Sequence, residues 1–159
     1  MGVAKKVERA DKVKIVRGSF PVKYIYTMPP HLERFFQNLR ENGELTGAVC
    51  ERCGTVYVPP VWFCERCFVR VSKETTLPSE GELIAFTVAR RGPEGEVLDR
   101  PEVYGLVRLK GASTVLLHRL LSEPSGIRSG IRVRLRLKEK VERRGSIMDI
   151  EGFVPVEGR

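Results

Sequence analysis

Cys50-Glu-Arg-Cys53-Gly-Thr-Val-Tyr-Val-Pro-Pro-Val-Trp-Phe-Cys64-Glu-Arg-Cys67 contains all four cysteines of the chain. Two identical Cys-Glu-Arg-Cys knuckles stand ten residues apart. Two intervening residues let a tight turn point both sulfurs of a knuckle at one ion. A ten-residue excursion is long enough for a short hairpin that brings the second pair back. Gly54 follows the first knuckle, where such a turn asks for positive φ. Disulfides are the competing reading. Neither pair within a knuckle is a good structural bridge, and the N-terminus does not resemble a secretory signal. A thioredoxin-like redox pair belongs after a strand in a βαβ pattern and does not come twice.

The spacing therefore predicts a four-thiolate metal site on Cys50, Cys53, Cys64 and Cys67. Zinc is favoured; iron accepts the same donors, and the sequence alone does not separate the two. Four protein ligands leave no open coordination position, so the site is structural and none of the cysteines is a free nucleophile. The metal stands in for a core, since zinc contributes about 10–16 kcal/mol of apparent binding energy to small modules of this type. Tyr57, Trp62 and Phe63 are expected to cover the site from solvent, with an aromatic ligand platform as the alternative.

Working outward, 159 residues suit one domain plus a small module, and 42% hydrophobic content supports a globular core. The longest apolar stretch, near Leu83 to Ala89, is far too short to span a bilayer, and a cytoplasmic location is expected. Charged residues make up 30% of the chain, yet the only amides are Gln37, Asn38 and Asn42, a composition that resembles proteins of hot environments. The net charge of +8 is unevenly placed. Lys5, Lys6, Arg9, Lys12, Lys14, Arg17 and Lys23 crowd the N-terminus against Glu8 and Asp11, and a second basic cluster runs from Arg128 to Arg144. Such a balance fits nucleic acid, phosphorylated ligands or acidic partners, or else a soluble surface that is merely basic.

The chain divides into an N-terminal arm and amphipathic helix over 1–45, a zinc ribbon over 46–76 and a barrel over 77–159. Residues 1–12 read as a charged arm, and Val13 to Tyr26 as two short extended segments joined by a turn. Pro29 and Pro30 then precede a helix in which Leu32, Phe35, Phe36 and Leu39 share one face, with Gly43 as a stop. That face either packs on the core or presents Phe35 and Phe36 to a partner protein or an acyl chain. After Leu77 the pattern is β throughout. Strands are expected over Glu82–Arg90, Val103–Leu109, Ala112–Leu120, Ile131–Val141 and Ser146–Val154, with a polar loop from Arg91 to Pro101. Five strands joined without helical repeats indicate a five-stranded OB-fold barrel, with a small open sandwich second. In the fourth strand Ile131, Val133, Leu135 and Leu137 alternate with Arg132, Arg134, Arg136 and Lys138. Period two puts the aliphatics inward and the four cations on one outer face. Those charges are offset by acids on neighbouring strands, by phosphate, or by an acidic partner.

No catalytic motif stands out. His31 lies at the helix start and His118 in an aliphatic strand. Asp99, Glu102 and Asp149 are isolated acids, and no nucleophile elbow, metalloprotease or phosphate-loop pattern occurs.

Several motifs form an ordered set: Leu32-Glu-Arg-Phe35-Phe36, Gly43-Glu-Leu45-Thr-Gly47, the two knuckles, Val58-Pro59-Pro60, Gly81-Glu-Leu-Ile-Ala-Phe86-Thr87-Val88 and Pro101-Glu-Val-Tyr-Gly-Leu-Val. Together they resemble the acyl-CoA-associated OB-fold proteins with a rubredoxin-like zinc ribbon, once filed as domain of unknown function thirty-five. The resemblance covers roughly Ser19 to Pro155. It implies zinc on the four cysteines, a mainly β fold, and a non-catalytic subunit assembled with thiolase-like enzymes. In archaeal forms it implies a bridge between an acetyl-CoA acetyltransferase (thiolase) and HMG-CoA synthase at the entry to the mevalonate pathway. On that reading the candidate partner or phosphate contacts are Phe35, Phe36, Arg132, Arg134, Arg136 and Lys138, with acyl-CoA a further candidate ligand. The rival is a zinc-ribbon and OB-fold nucleic-acid-binding protein, for which the barrel offers only Phe86, Tyr104 and Phe153 as stacking residues.

Overall fold

The computed structural model describes residue 25 and residues 27–156. The charged arm, and apart from Ile25 the two extended segments expected before Tyr26, lie outside the described residues. Helix α1 spans Pro30–Glu41, with proline in its first turn, where the missing N–H costs nothing. Phe35 and Leu39, one helical turn apart, are its fully buried residues. Their burial contributes roughly 2 kcal/mol each.

Strands β1 (Leu45–Val49), β2 (Val56–Tyr57) and β3 (Lys73–Leu77) form a small antiparallel sheet in the order β2-β1-β3. Strands β4 (Glu80–Arg91), β5 (Val97–Leu109), β6 (Leu116–Leu120), β7 (Arg132–Leu137) and β8 (Ile150–Pro155) close into a barrel in the order β4-β5-β6-β8-β7. All pairings are antiparallel except β6 with β8. This is the five-stranded Greek-key arrangement of an OB-fold. Leu83, Val103, Val107, Leu116, Leu120, Val133, Leu135, Ile150 and Phe153 fill its interior. At Gly105 a Cβ would meet Leu83 Cδ1 at 2.5 Å and Leu120 Cδ1 at 2.9 Å, so only glycine lets these strands close on that core.

The strand limits differ from the expected ones for physical reasons. The polar loop contracts to a turn at Gly92–Glu96, where Gly92 N–H donates to the Glu96 carbonyl at 2.9 Å. Pro101 lies inside β5 beside a register shift between Ala89 and Arg91, a place that demands no donor from it. Strand β6 begins at Leu116 because Ser113 and Thr114 bond the ribbon instead. Strand β7 ends at Leu137, and a 3-10 turn at Lys140–Glu142 follows. The last strand begins at Ile150 behind a 3-10 turn capped by Ser146.

Ribbon, helix and barrel share one core. Phe35, Leu39, Leu45, Val58 and Leu77 belong to the same buried cluster as the barrel interior. Phe35 is therefore closed to any partner, and Phe36 packs partly buried against that cluster, which corrects the partner-facing reading of the helix. Backbone of β2 and the following residue is clamped by the β5–β6 turn. Val56 N–H donates to Ser113 Oγ at 3.0 Å, Val58 N–H donates to Thr114 Oγ1 at 2.8 Å, and Ser113 N–H donates to the Val56 carbonyl at 2.8 Å. Arg34 on α1 reaches Glu74 on β3 at 2.7 Å.

Asp149, one of the isolated acids, fastens the loop before β8. It is 2% exposed and accepts the N–H groups of Arg144, Gly145 and Ser146 at 2.9, 2.7 and 3.1 Å. Burial pushes its carboxyl up, but those three donors outweigh burial and hold it below the ordinary carboxylate range. The stability it supplies is thus present at neutral pH and lost only in acid, below the unfolded carboxylate range. Asp149→Asn should lower unfolding stability by about 2 kcal/mol in urea melts at pH 7, with the deficit vanishing when the melts are repeated in strong acid.

Candidate metal centre

The two knuckles sit on equivalent turns. Gly54 N–H donates to the Cys50 carbonyl at 2.7 Å, and Phe68 N–H donates to the Cys64 carbonyl at 2.8 Å. These turns bring the four sulfurs within 4.8 Å of one another. A tetrahedron of thiolates 2.3 Å from zinc has edges of about 3.8 Å, and Cys53 Sγ lies 3.7 Å from Cys64 Sγ. The donor set and its spacing fit a zinc ion held by Cys50, Cys53, Cys64 and Cys67.

The surroundings favour thiolate at two of the four sulfurs, Cys64 and Cys53. Tyr57 is 4% exposed, and its hydroxyl lies 3.2 Å from Cys64 Sγ. That hydrogen bond, with backbone N–H groups of Cys67 and Arg66, holds Cys64 below the usual thiol range against the opposing effect of burial. The same contact pushes the Tyr57 phenol up to about 12. The Thr55 hydroxyl, 3.1 Å from Cys53 Sγ, and the Thr55 backbone bring Cys53 down to about 6. Cys67, hydrogen-bonded to Cys53, is pushed up to about 12.

The aromatic cover differs from expectation. Tyr57 shields the sulfurs, but Trp62 and Phe63 are 39% and 62% exposed. Trp62 faces α1 instead: the His31 ring lies tilted against it, 5.5 Å between centroids, and the Arg70 guanidinium lies 5.2 Å over its ring. Phe68 is a residue the sequence reading does not single out. It adopts φ 55° and is 87% exposed, where the first knuckle has Gly54 at φ 73°. The left-handed region costs a bulky residue roughly 1–2 kcal/mol. The signal was a glycine-to-phenylalanine difference after two otherwise identical knuckles.

The basic strand is largely answered by acids. Arg134 pairs with Glu80, whose carboxyl it holds low, and Arg136 pairs with Glu151 at 2.7 Å. Arg132 stands opposite Glu82 in register, and Lys138 is half-buried beside Asp149. Among the described residues, neither histidine bonds a side chain. Nδ1 of both His31 and His118 is buried without a partner, and burial lowers the pKa of each. Among the described residues, no helix is long and apolar enough to cross a membrane.

A closed thiolate ribbon clamped to an OB barrel defines a zinc-ribbon and OB-fold protein. The sequence profile of the ChsH2 rubredoxin-like zinc ribbon domain matches residues 38–72, and that of the ChsH2 C-terminal OB-fold domain matches residues 74–138. The chain thus carries matches to both ChsH2 domains, ribbon then barrel, and resembles proteins named DUF35. It is 24% identical over 110 residues to a DUF35 domain-containing scaffold protein of Methanocaldococcus jannaschii, a span covering 67% of this chain and 78% of that protein. A crystal structure of a DUF35-family protein of unknown function from Sulfolobus solfataricus aligns with TM-score 0.57 and 26% identity over 67% of this chain and 77% of the other. An Ltp2–ChsH2(DUF35) aldolase aligns with TM-score 0.59 and 21% identity, covering 82% of this chain and 98% of that one, and shares the fold.

Cys64→Ser should lose most bound zinc, read by metal analysis of the purified protein, while circular dichroism retains the barrel. Tyr57→Phe should keep full zinc stoichiometry but release the ion several-fold faster to a chromogenic chelator, because the Cys64 sulfur loses a donor.

Proposed function

We propose that this chain is a non-catalytic, zinc-containing scaffold subunit of an acyl-CoA-condensing complex, bridging a thiolase and an HMG-CoA synthase. The observation that carries the reading is the outer face of β4, β5 and β6. Cross-strand register there aligns Ala85 with Leu106 and Leu106 with Leu117, and Leu117 is 62% exposed. Val115, next to β6, adds 39% exposure. Two cations on this face are tied to carboxylates: Arg108 to Glu82 at 3.0 Å and Arg119 to Glu102 at 3.2 Å. Tyr104 is tied as well, its hydroxyl donating to Glu102 at 2.6 Å. An apolar centre with a neutralised polar rim has the anatomy of a protein interface.

The same face weighs against nucleic acid. OB-folds bind single strands on these strands through free cations and stacking aromatics. Here Phe153 is fully buried and Tyr104 is engaged, which leaves Phe86, 37% exposed, as the one open aromatic of the three. The closed thiolate centre offers no open coordination position for a substrate. Kinship with a protein named as a scaffold supports the accessory role.

Mixing the zinc-loaded chain with the purified thiolase and synthase of the same host should give one assembly containing all three chains by native mass spectrometry. RNA binding that collapses with salt, without enzyme binding, would refute the reading. Leu117→Glu should weaken capture of one enzyme at least about tenfold while leaving the fold intact, since the residue supports no core contact.

A further inference from the structure

We propose that the second zinc knuckle presents Phe68 as an anchor for a partner protein whose surface offers an apolar recess rimmed by carboxylates. This rests on the scaffold reading above and names where one enzyme would seat. The two knuckles have the same sequence and the same turn, yet one ends in Gly54 and the other in Phe68. Glycine suits the left-handed backbone that both adopt, at φ 73° and 55°. A phenylalanine there strains the backbone and gains no burial, since its ring is 87% exposed. Strain retained without a packing return points to a use outside the fold. Phe63, on the other side of the same knuckle, is 62% exposed and widens the apolar surface.

Charge selects the occupant. Arg52, Arg66 and Arg70 are exposed around the knuckles and make no ion pair among the described residues, whereas Lys73 is answered by Glu51 at 3.7 Å. Glu65 and Glu51, the latter taken up by Lys73, are the exposed carboxylates within the two knuckles. The thiolates beneath are partly offset by their ion, and the guanidiniums are the groups an arriving surface meets. A second copy of this chain would set arginine against arginine. The segment before Ile25 carries seven cations, Lys5, Lys6, Arg9, Lys12, Lys14, Arg17 and Lys23, against Glu8 and Asp11, and is repelled for the same reason. An acidic rim around an apolar recess on a separate protein complements both the phenyl rings and the arginines.

The test compares zinc-loaded wild type with Phe68→Gly and Phe68→Asn, both of which tolerate the left-handed backbone. Phe68→Gly should raise the unfolding midpoint by roughly 2–4 °C. It should also weaken binding to the purified thiolase or synthase by about tenfold or more, measured by calorimetry. Phe68→Asn should lose binding equally, and Arg66→Glu should lose it further at low salt. If wild type binds the enzymes and both Phe68 variants bind as well, the anchor is overturned while the scaffold reading stands. If wild type binds neither enzyme, both fall. Phe68-dependent binding to phosphatidylserine vesicles or to oligothymidine, with no effect on enzyme binding, would also overturn it.

Discussion

Four sulfurs gathered around one point are the constraint on which the rest of this molecule depends. The ribbon's own apolar cluster is small, built on Ala48, Tyr57 and Val71 around Cys50 and Cys64. It is too little to hold the segment alone, and metal coordination supplies the deficit. Once the knuckles are fixed, Val56 and Val58 present their backbone to Ser113 and Thr114, and Val58 enters the barrel's core. Helix α1 is then held from two sides, through Trp62 against His31 and through Phe35 and Leu39 in the shared interior. The metal thus orders the joint between helix, ribbon and barrel.

What the surface does follows from where charge is cancelled and where it is not. A chain of net charge +8 invites a nucleic-acid reading. On the barrel, however, Arg108, Arg119, Arg134 and Arg136 each hold a carboxylate, Arg100 and Arg132 are exposed without an ion pair among the described residues, and Leu117 and Val115 stand open on the outer sheet. Exposed pairs of this kind add little stability, about 0–1 kcal/mol each, but they weaken the local field that a phosphate backbone would meet on these strands. The result is a surface suited to meeting proteins, on a fold whose metal has no vacancy for chemistry.

Much of this was legible in the sequence because it depends on spacing. The knuckles predict their own convergence, and the alternation from Arg132 to Leu137 fixes which face of that strand enters the barrel. What the sequence hid depends on contacts between distant segments. Whether Trp62 covers the metal or packs on a helix is decided by His31 and Arg70, which have no periodic relation to it. Asp149 reads as an isolated acid until Arg144, Gly145 and Ser146 turn three N–H groups onto it. Phe35 and Phe36 share a helical face, and only the barrel's position shows that one is sealed in the core. Phe68 was visible in principle, but its meaning requires the backbone angle.

Hydrogen exchange with and without zinc tests most directly the claim that the thiolate centre holds the ribbon to the barrel. With zinc bound, the amides of Val56 and Val58 should be protected to the same degree as those of β4 and β5. After chelation, protection across residues 45–77 should collapse while strands β4 to β8 keep theirs. Ribbon amides that stay protected without the metal would contradict the account.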